Sequence, residues 1–397
     1  MLRPCFYTRK ILAEGGLPVS VKGKAAIVGI HEYEARFDPE ASILSIEADC
    51  ARDALEDAGL QKEDVDGLFS HRGFTLGQYL NLSPKHVDTT SVGGGSYEFF
   101  VAHAAAAIAA GQCEVALITY GSTNRSRGEQ RGVVEPRLPW PDAVESIYGS
   151  QTLGLYALVA QRHMHEFGTT SEQLANIAVQ TRQHASTNPF AVMRDPIEIE
   201  DVLNSRTVST PLHLFDCCLV TDGGGAVIMT SAERAKDLKK KPIYVLGTGQ
   251  AIAHSGLGDR DLTTIAAAQS GPRAFAEAGV THDDIDIAMI YDSFTITVLT
   301  TLESLGFAPK GEGGRFVEGD TLSLKGKLPT NTDGGGLSSN HPGERGMFLL
   351  LEATRQLRHE REGNQVEDAK IAIAHGTGGS LSLRHSGGTI ILGNEVP

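Results

Sequence analysis

The sequence predicts an α/β protein made of two similar halves, stacked as five layers in the order αβαβα. Three observations predict it. The first is an internal echo: residues 54–71, ALEDAGLQKEDVDGLFSH, align without gaps on residues 274–291, AFAEAGVTHDDIDIAMIY, and repeats of this kind mark duplicated architecture. The second is a further echo in the same order. Residues 99–122 read as a helix and then a strand ending in an aromatic residue before glycine. Residues 347–379 read as a helix and then a strand ending in histidine before glycine. The third is the stretch FFVAHAAAAIAA, apolar all round and made of small residues, which predicts a helix buried on every side. One such helix per half, face to face between two sheets, gives the five layers.

The elements follow in order. Each half opens with a buried strand, AAIVGI at 25–30 and PIYVLGTG at 242–249, and closes with another, GGAVIMT at 224–230 and GTIILG at 388–393. In both echoed segments a helix ends at glycine and an acidic turn leads into a short buried strand, as left-handed glycine caps require. The expected organisation is an N-terminal extension at 1–23, a first half at 24–123 plus 214–240, an inserted loop and helical domain at 124–213, and a second half at 241–397. An insertion of that length at a strand end is expected to cover an active site.

Composition bounds the function. A formal net charge of −14 over 397 residues disfavours a nucleic-acid binder or an anionic-membrane binder. No apolar run approaches the ~20 residues of a membrane span, and the basic start, MLRPCFYTRKILAEGG, lacks the apolar core of a signal peptide. The five cysteines, Cys5, Cys50, Cys113, Cys217 and Cys218, form no CxxC pair. A reducing, cytoplasmic setting without zinc or disulfides is the expectation. His163 and His165 are two apart on a predicted helix and do not share a face, so no metal site is expected. GTGQAI at 247–252 lacks the third glycine of a dinucleotide loop.

Four side chains are candidates for chemistry. Ser91 precedes the glycine elbow VGGGS that opens the first central helix, and His341, in NHPG, precedes the second. Tyr291 and His375 end strands of the second half. Pseudo-symmetry would bring the two helix N-termini together, a positive environment suited to an anion or an enolate oxygen. Ser91 reads either as a nucleophile with His341 as its base or as a small residue kept by a tight elbow. Tyr291 reads as a general acid/base or as a half-buried strand end.

At this point the residues resemble the thiolase superfamily, and within it the sterol-carrier-protein-type thiolases and the thiolase-like aldolases of steroid side-chain degradation. The resemblance covers nearly all of the chain after residue 24. Its specific pieces are NTDGGGLSSNHPGERG at 331–346, DGGGAVIMTSAERA at 222–235, YDSFTITVLTTLESLGF at 291–307 and HGTGGSLS at 375–382. The resemblance implies a thiolase-like five-layer αβαβα fold, a homodimer, an acyl-CoA substrate with coenzyme A as part of it, and no covalently bound cofactor. It also implies a small partner with a zinc ribbon and an OB fold, a DUF35 protein, in a heterotetramer. Thiolases use two cysteines, and by this alignment Ser91 and His375 stand in their places. The chain is therefore expected to cleave a carbon–carbon bond without a cysteine, by retro-aldol cleavage of a β-hydroxyacyl-CoA. Tyr291 or His375 would be the base, and His341 with backbone at Ser91, Gly94 and Gly379, and Asn331, would hold oxyanion and substrate. An acyltransferase working through Ser91, or a non-catalytic acyl-CoA or lipid-binding subunit, is the alternative.

Overall fold

The computed structural model describes residues 20–127, 152–254, 261–381 and 384–396. Residues 1–19 of the expected extension and 128–151 of the expected insertion lie outside the described residues. In chain order the elements are β1 (Ala25–Glu32), α1 (Ile43–Ala58), β2 (Gly67–Phe69), α2 (Gly73–Leu80), β3 (His86–Asp88), α3 (Ser96–Ala109), β4 (Val115–Ser122), α4 (Thr152–Phe167), α5 (Ser171–Ser186), α6 (Ile199–Asn204), β5 (Thr207–Ser209), β6 (Leu212–His213), β7 (Gly223–Ser231), α7 (Ala232–Ala235), β8 (Ile243–His254), α8 (Ala267–Ala278), β9 (Ile287–Ile290), α9 (Thr295–Leu305), α10 (Gly313–Phe316), α11 (Gly346–Arg358), β10 (Ile371–Ser380) and β11 (Arg384–Gly393).

The strand order is β3-β2-β4-β7-β1-β8-β11-β10-β9. It mirrors itself about the β1–β8 seam. β4–β7–β1 on one side and β10–β11–β8 on the other are antiparallel, and β2 and β9 join β4 and β10 in parallel. Two separate sheets were expected. They are joined at the seam by only two residue pairs, Ala26 with Tyr244 and Ile27 with Ile243. The layers come from which faces are covered. α1 packs on β1, β7 and β4, α8 packs on β8 and β11, and α3 and α11 lie between the halves, touching strands of both. Inward-facing Val227, Met229, Val245, Met289, Ala374 and Ile390 meet Phe100 and Val101 of α3 and Phe348 and Leu350 of α11 in one buried core. One expectation is corrected: α3 is not buried all round, because Ala106 is exposed and His103 and Ala109 are half-buried along one stripe.

The echo holds at the level of atoms. α1 and α8 both end in a left-handed glycine, Gly59 and Gly279, and each is followed by one 3₁₀ turn. Asp66 accepts from the backbone of Glu114 and Val115, and Asp286 accepts from Lys370 and Ile371. A Cβ on Gly29 of β1 would lie 2.1 Å from the Ala54 carbonyl oxygen, and a Cβ on Gly247 of β8 would lie 2.1 Å from that of Ala274. Each helix thus sits on its strand at a distance only glycine allows. Gly29→Val is expected to lower unfolding free energy by about 1–3 kcal/mol or more, as overpacking does, read as a drop in the urea midpoint. An unchanged midpoint would contradict the close helix–strand contact.

Candidate active site

The site forms where β9 ends against the loop that leads into α11. Tyr291 follows β9 and is buried. Its hydroxyl lies 3.0 Å from His341 Nε2 and donates to, or sits 3.2 Å from, the Gly343 carbonyl. The two rings meet edge to face, 5.6 Å apart. His341 is half-buried and Gly343 is exposed, so the pair lies at a mouth open to solvent. Burial, with the positive Arg345 nearby, lowers the His341 pKa to about 4, so at neutral pH the imidazole is uncharged. Burial pushes the Tyr291 phenol well above its ordinary value. A standing phenolate is disfavoured, and a proton relay with the neutral imidazole is what this geometry can perform.

The loop carrying His341 is held by a buried arginine. Arg345 is fully buried. It makes a bidentate pair with Asp333 at 2.5 and 2.7 Å, contacts Asp292 at 3.2 Å, and donates to the Asn340 side chain at 2.7 Å. Asp292 also accepts from the backbone of Gly336 and Leu337. Burial works against the Arg345 charge, but Asp333 and Asp292 outweigh it and hold its pKa above the ordinary value. Burial raises Asp292 to about 6, against the pull of Arg345. Helix α5 of the insertion clamps the same loop: Arg182 donates to Ser338, and His184 meets the Asn331 carbonyl. On the other side Tyr120 donates to the Pro342 carbonyl at 2.6 Å, and Tyr97 donates to Glu344 at 2.9 Å.

The structure brings together Tyr291, His341 and Gly94. A Cβ on Gly94 would lie 2.6 Å from the Tyr291 hydroxyl and 2.3 Å from its ring. The elbow residue that meets Tyr291 is therefore glycine, with no room for a side chain at that point. Ser91 is exposed, three residues before Gly94. His375 is corrected. It pairs with Ile290 in the β9–β10 ladder and shares that residue's face, the one opposite Tyr291. There it is fully buried, with Nδ1 2.8 Å from Thr389 and Nε2 without a partner. The β10 residue facing inward beside it is Gly376. Asn331, expected to bind substrate, is a fully buried clamp whose side-chain oxygen accepts from Ile290 at 2.8 Å. Gly379 lies against the elbow, its nitrogen 3.1 Å from where a Gly93 Cβ would be, and its carbonyl accepts from Tyr156 of α4. Sequence reasoning missed Arg345, Asp292 and Asp333. Their surroundings did not set them apart: Asp292 follows a strand in YDSF, and Asp333 and Arg345 lie in the polar, glycine-rich NTDGGGLSSNHPGERG.

No described cysteine replaces the missing nucleophile. Burial raises the Cys113 thiol to about 11 and Cys217 to about 12, and pushes Cys50 and Cys218 up as well, so thiolates are scarce at neutral pH. Among the described residues no cluster of three His, Cys, Asp or Glu side chains could hold a metal, and no helix is long and apolar enough to cross a membrane.

Comparison with known proteins fits this arrangement. The chain is 33% identical over 381 residues to a steroid side-chain-cleaving aldolase of Thermomonospora curvata, covering 90% of this chain and 96% of that one. It belongs to the thiolase superfamily. Residues 249–394 match the family described as Thiolase C-terminal domain-like. A 17-hydroxy-3-oxo-4-pregnene-20-carboxyl-CoA lyase of Mycobacterium tuberculosis is 33% identical over 391 residues, covering 90% of this chain and 97% of that one. The solved structure of an Ltp2-ChsH2(DUF35) aldolase superposes with a TM-score of 0.85 at 34% identity, covering 94% of this chain and 98% of that one. The thiolase-superfamily chain is thus an enzyme of the branch that holds aldolases and acyl-CoA lyases.

The two outer-face histidines give a test of the sheet assignment. Burial, with His385 nearby, lowers His375 to about 3, and burial lowers His385 to about 4. The unfolded chain takes up these protons near pH 6.5. The native state is therefore fully favoured above pH 6.5 and loses that advantage as pH falls from 6.5 toward 4. His375→Gln is expected to flatten the fall of the urea midpoint between pH 6.5 and 4.5. Parallel falls in variant and wild type would show that His375 titrates freely, contrary to its burial.

Proposed function

We propose that this thiolase-superfamily enzyme cleaves a carbon–carbon bond of an acyl-CoA by retro-aldol chemistry, on a β-hydroxyacyl-CoA with a bulky, steroid-side-chain-like acyl group. The observation that carries the reading is the glycine at position 94 beneath the Tyr291 hydroxyl. It lets the Tyr291–His341 proton-transfer pair, rather than a side chain of the elbow, occupy that point of the site. In this reading the substrate hydroxyl gives its proton to Tyr291 as Tyr291 hands its own to His341 Nε2, 3.0 Å away. The Cα–Cβ bond breaks, Cβ becomes a carbonyl, and the electron pair leaves on Cα as a thioester enolate. Backbone N–H groups of the elbow and the N-terminus of α11 are the donors for its oxygen. Coenzyme A enters as part of the substrate and no covalent cofactor takes part. The names of two relatives, a steroid side-chain-cleaving aldolase and a carboxyl-CoA lyase, support the substrate class.

Wild type is expected to cleave β-hydroxyacyl-CoA with no added coenzyme A. Tyr291→Phe is expected to lose about 10²–10⁴-fold in kcat with KM little changed. Activity on β-ketoacyl-CoA that strictly requires free coenzyme A would replace the lyase reading with acyl transfer.

The partner reading rests on two supports. The solved relative is a complex of an aldolase with a DUF35 chain. The edge strand β3 and the adjoining α2 expose Val87, Tyr79 and Phe74, the last 86% exposed, beside the exposed Ala106 of α3, and such an unpaired edge favours a protein contact. We infer a homodimer through this edge and a small zinc-ribbon and OB-fold partner completing a heterotetramer. Co-expression with such a partner should shift the mass in light scattering from dimer to heterotetramer. A monomer under both conditions would refute the assembly.

A further inference from the structure

Glu98 is the third residue of α3 and is fully buried. Both of its side-chain oxygens lack a hydrogen-bond partner. Other buried glutamates and aspartates are held through at least one oxygen: Glu352 by Thr332, Gln356 and Arg361, Asp292 by Arg345 and two backbone N–H groups, Glu303 by His163, and Glu47 by Ser70 through one oxygen while the other has no partner. Glu98 sits in an otherwise apolar, alanine-rich helix where leucine or methionine would avoid several kcal/mol of desolvation.

Its surroundings are built to admit the carboxyl group. A Cβ on Gly376 would lie 2.0 Å from Glu98 Oε2, one on Gly346 would lie 2.5 Å from it, and one on Gly388 would lie 2.6 Å from the Glu98 Cβ. Two glycines, one on β10 and one at the first residue of α11, therefore vacate the space that the carboxyl fills, and a third on β11 makes room for the Glu98 Cβ. That space adjoins the Tyr291–His341 site. Gly346 donates to the Gly94 carbonyl at 3.0 Å, and Gly94 touches the Tyr291 hydroxyl as described. The N-termini of α3 and α11 both meet there, so a negative charge formed on Glu98 would face two positive helix ends. Burial raises the Glu98 pKa well above the carboxylate range, which leaves a proton on it at neutral pH.

We propose that Glu98 is a further proton-handling residue of this site, supplying the proton that the enolate carbon takes up after cleavage. The inference rests on the retro-aldol reading. The balance is complete within the active site: the enolate Cα gains the Glu98 proton and becomes the saturated acyl-CoA, while Glu98 is left as a carboxylate between two helix ends. The proton that left the substrate hydroxyl returns from the Tyr291–His341 pair to Glu98, and no co-reactant is needed.

The test uses the product side of the reaction. The full-length protein is incubated with propionyl-CoA in D₂O, and deuterium at the acyl α-carbon is followed by mass spectrometry. Wild type is expected to exchange. Glu98→Gln, which keeps the shape and loses the acidic proton, is expected to exchange at least 100-fold more slowly and to lose a similar factor in kcat for hydroxyacyl-CoA cleavage, with KM unchanged. Its melting temperature is expected to match or exceed that of wild type. Infrared difference spectra between the two should show the C=O stretch of a protonated carboxylic acid in wild type alone. Exchange at the wild-type rate in Glu98→Gln, or absence of that band, overturns the proposal and leaves the lyase reading standing. A wild type that neither cleaves nor exchanges removes both.

Discussion

The site depends on one buried arginine. Arg345 stands one residue before α11 and ties together two stretches of chain that are far apart in sequence: Asp292, the neighbour of Tyr291, and the loop holding Asp333 and Asn340, the latter the neighbour of His341. The separation of Tyr291 and His341 is therefore fixed less by their own contact than by a charge cluster behind them. A buried ion cluster of this kind adds little net stability over apolar packing, yet removing one member leaves the others uncompensated, at about 3–5 kcal/mol. Its value is geometric. The loop it holds is rich in glycine, has left-handed residues at Gly334 and Gly335, and would otherwise have many conformations. Burial, reinforced by the positive charge of Arg345 close by, keeps the His341 imidazole neutral and able to accept a proton.

Glycine does the complementary work on the substrate side. Gly94 and Gly376 are the inward positions at the elbow and on β10. Neither offers a side chain for covalent chemistry. In their place stand a phenol, an imidazole and the Glu98 carboxyl, reaching in from neighbouring elements. The same fold can thus serve a reaction with an acyl-enzyme or one without it, according to whether the elbow carries a nucleophile or makes room for Tyr291. An acyl-enzyme is of no use when the bond to be broken already polarises toward a β-hydroxyl. A proton acceptor at that hydroxyl and a donor at the departing carbon suffice.

The architecture was legible because duplication, buried-strand patterns and glycine caps are local signals repeated twice. The gapless match of residues 54–71 to 274–291 located both helices, and Tyr291 and His341, which the structure brings within 3.0 Å, stood out because each ends a buried strand or a glycine-bounded loop. His375 misled for a physical reason. Sequence position places a residue on a strand but fixes the face it presents only when the register is known, and a shift of one residue moves a side chain from the site to the opposite side of the sheet. Asn331 misled because a polar residue in a glycine-rich loop serves the backbone as readily as it serves a ligand. Arg345 and Glu98 were invisible because full burial of charge contradicts the expectation drawn from residue type.

The three groups proposed to handle protons all favour their uncharged forms: an imidazole lowered to about 4, a phenol and a carboxyl raised above their ordinary values. This is a coherent electrostatic state rather than a set of separate perturbations. A site preloaded with carboxylate or phenolate would repel the enolate it must form, and a site preloaded with imidazolium would have no acceptor for the hydroxyl proton. With neutral groups at rest, the negative charge first appears on the substrate, where backbone donors and two converging helix ends are already aimed. It can then pass to Glu98 without leaving that field. The low dielectric that makes each group costly to ionise alone also strengthens the donors that meet the transient charge, so burial, which is a liability for the fold at Glu98, is what allows the reaction to run through protons alone.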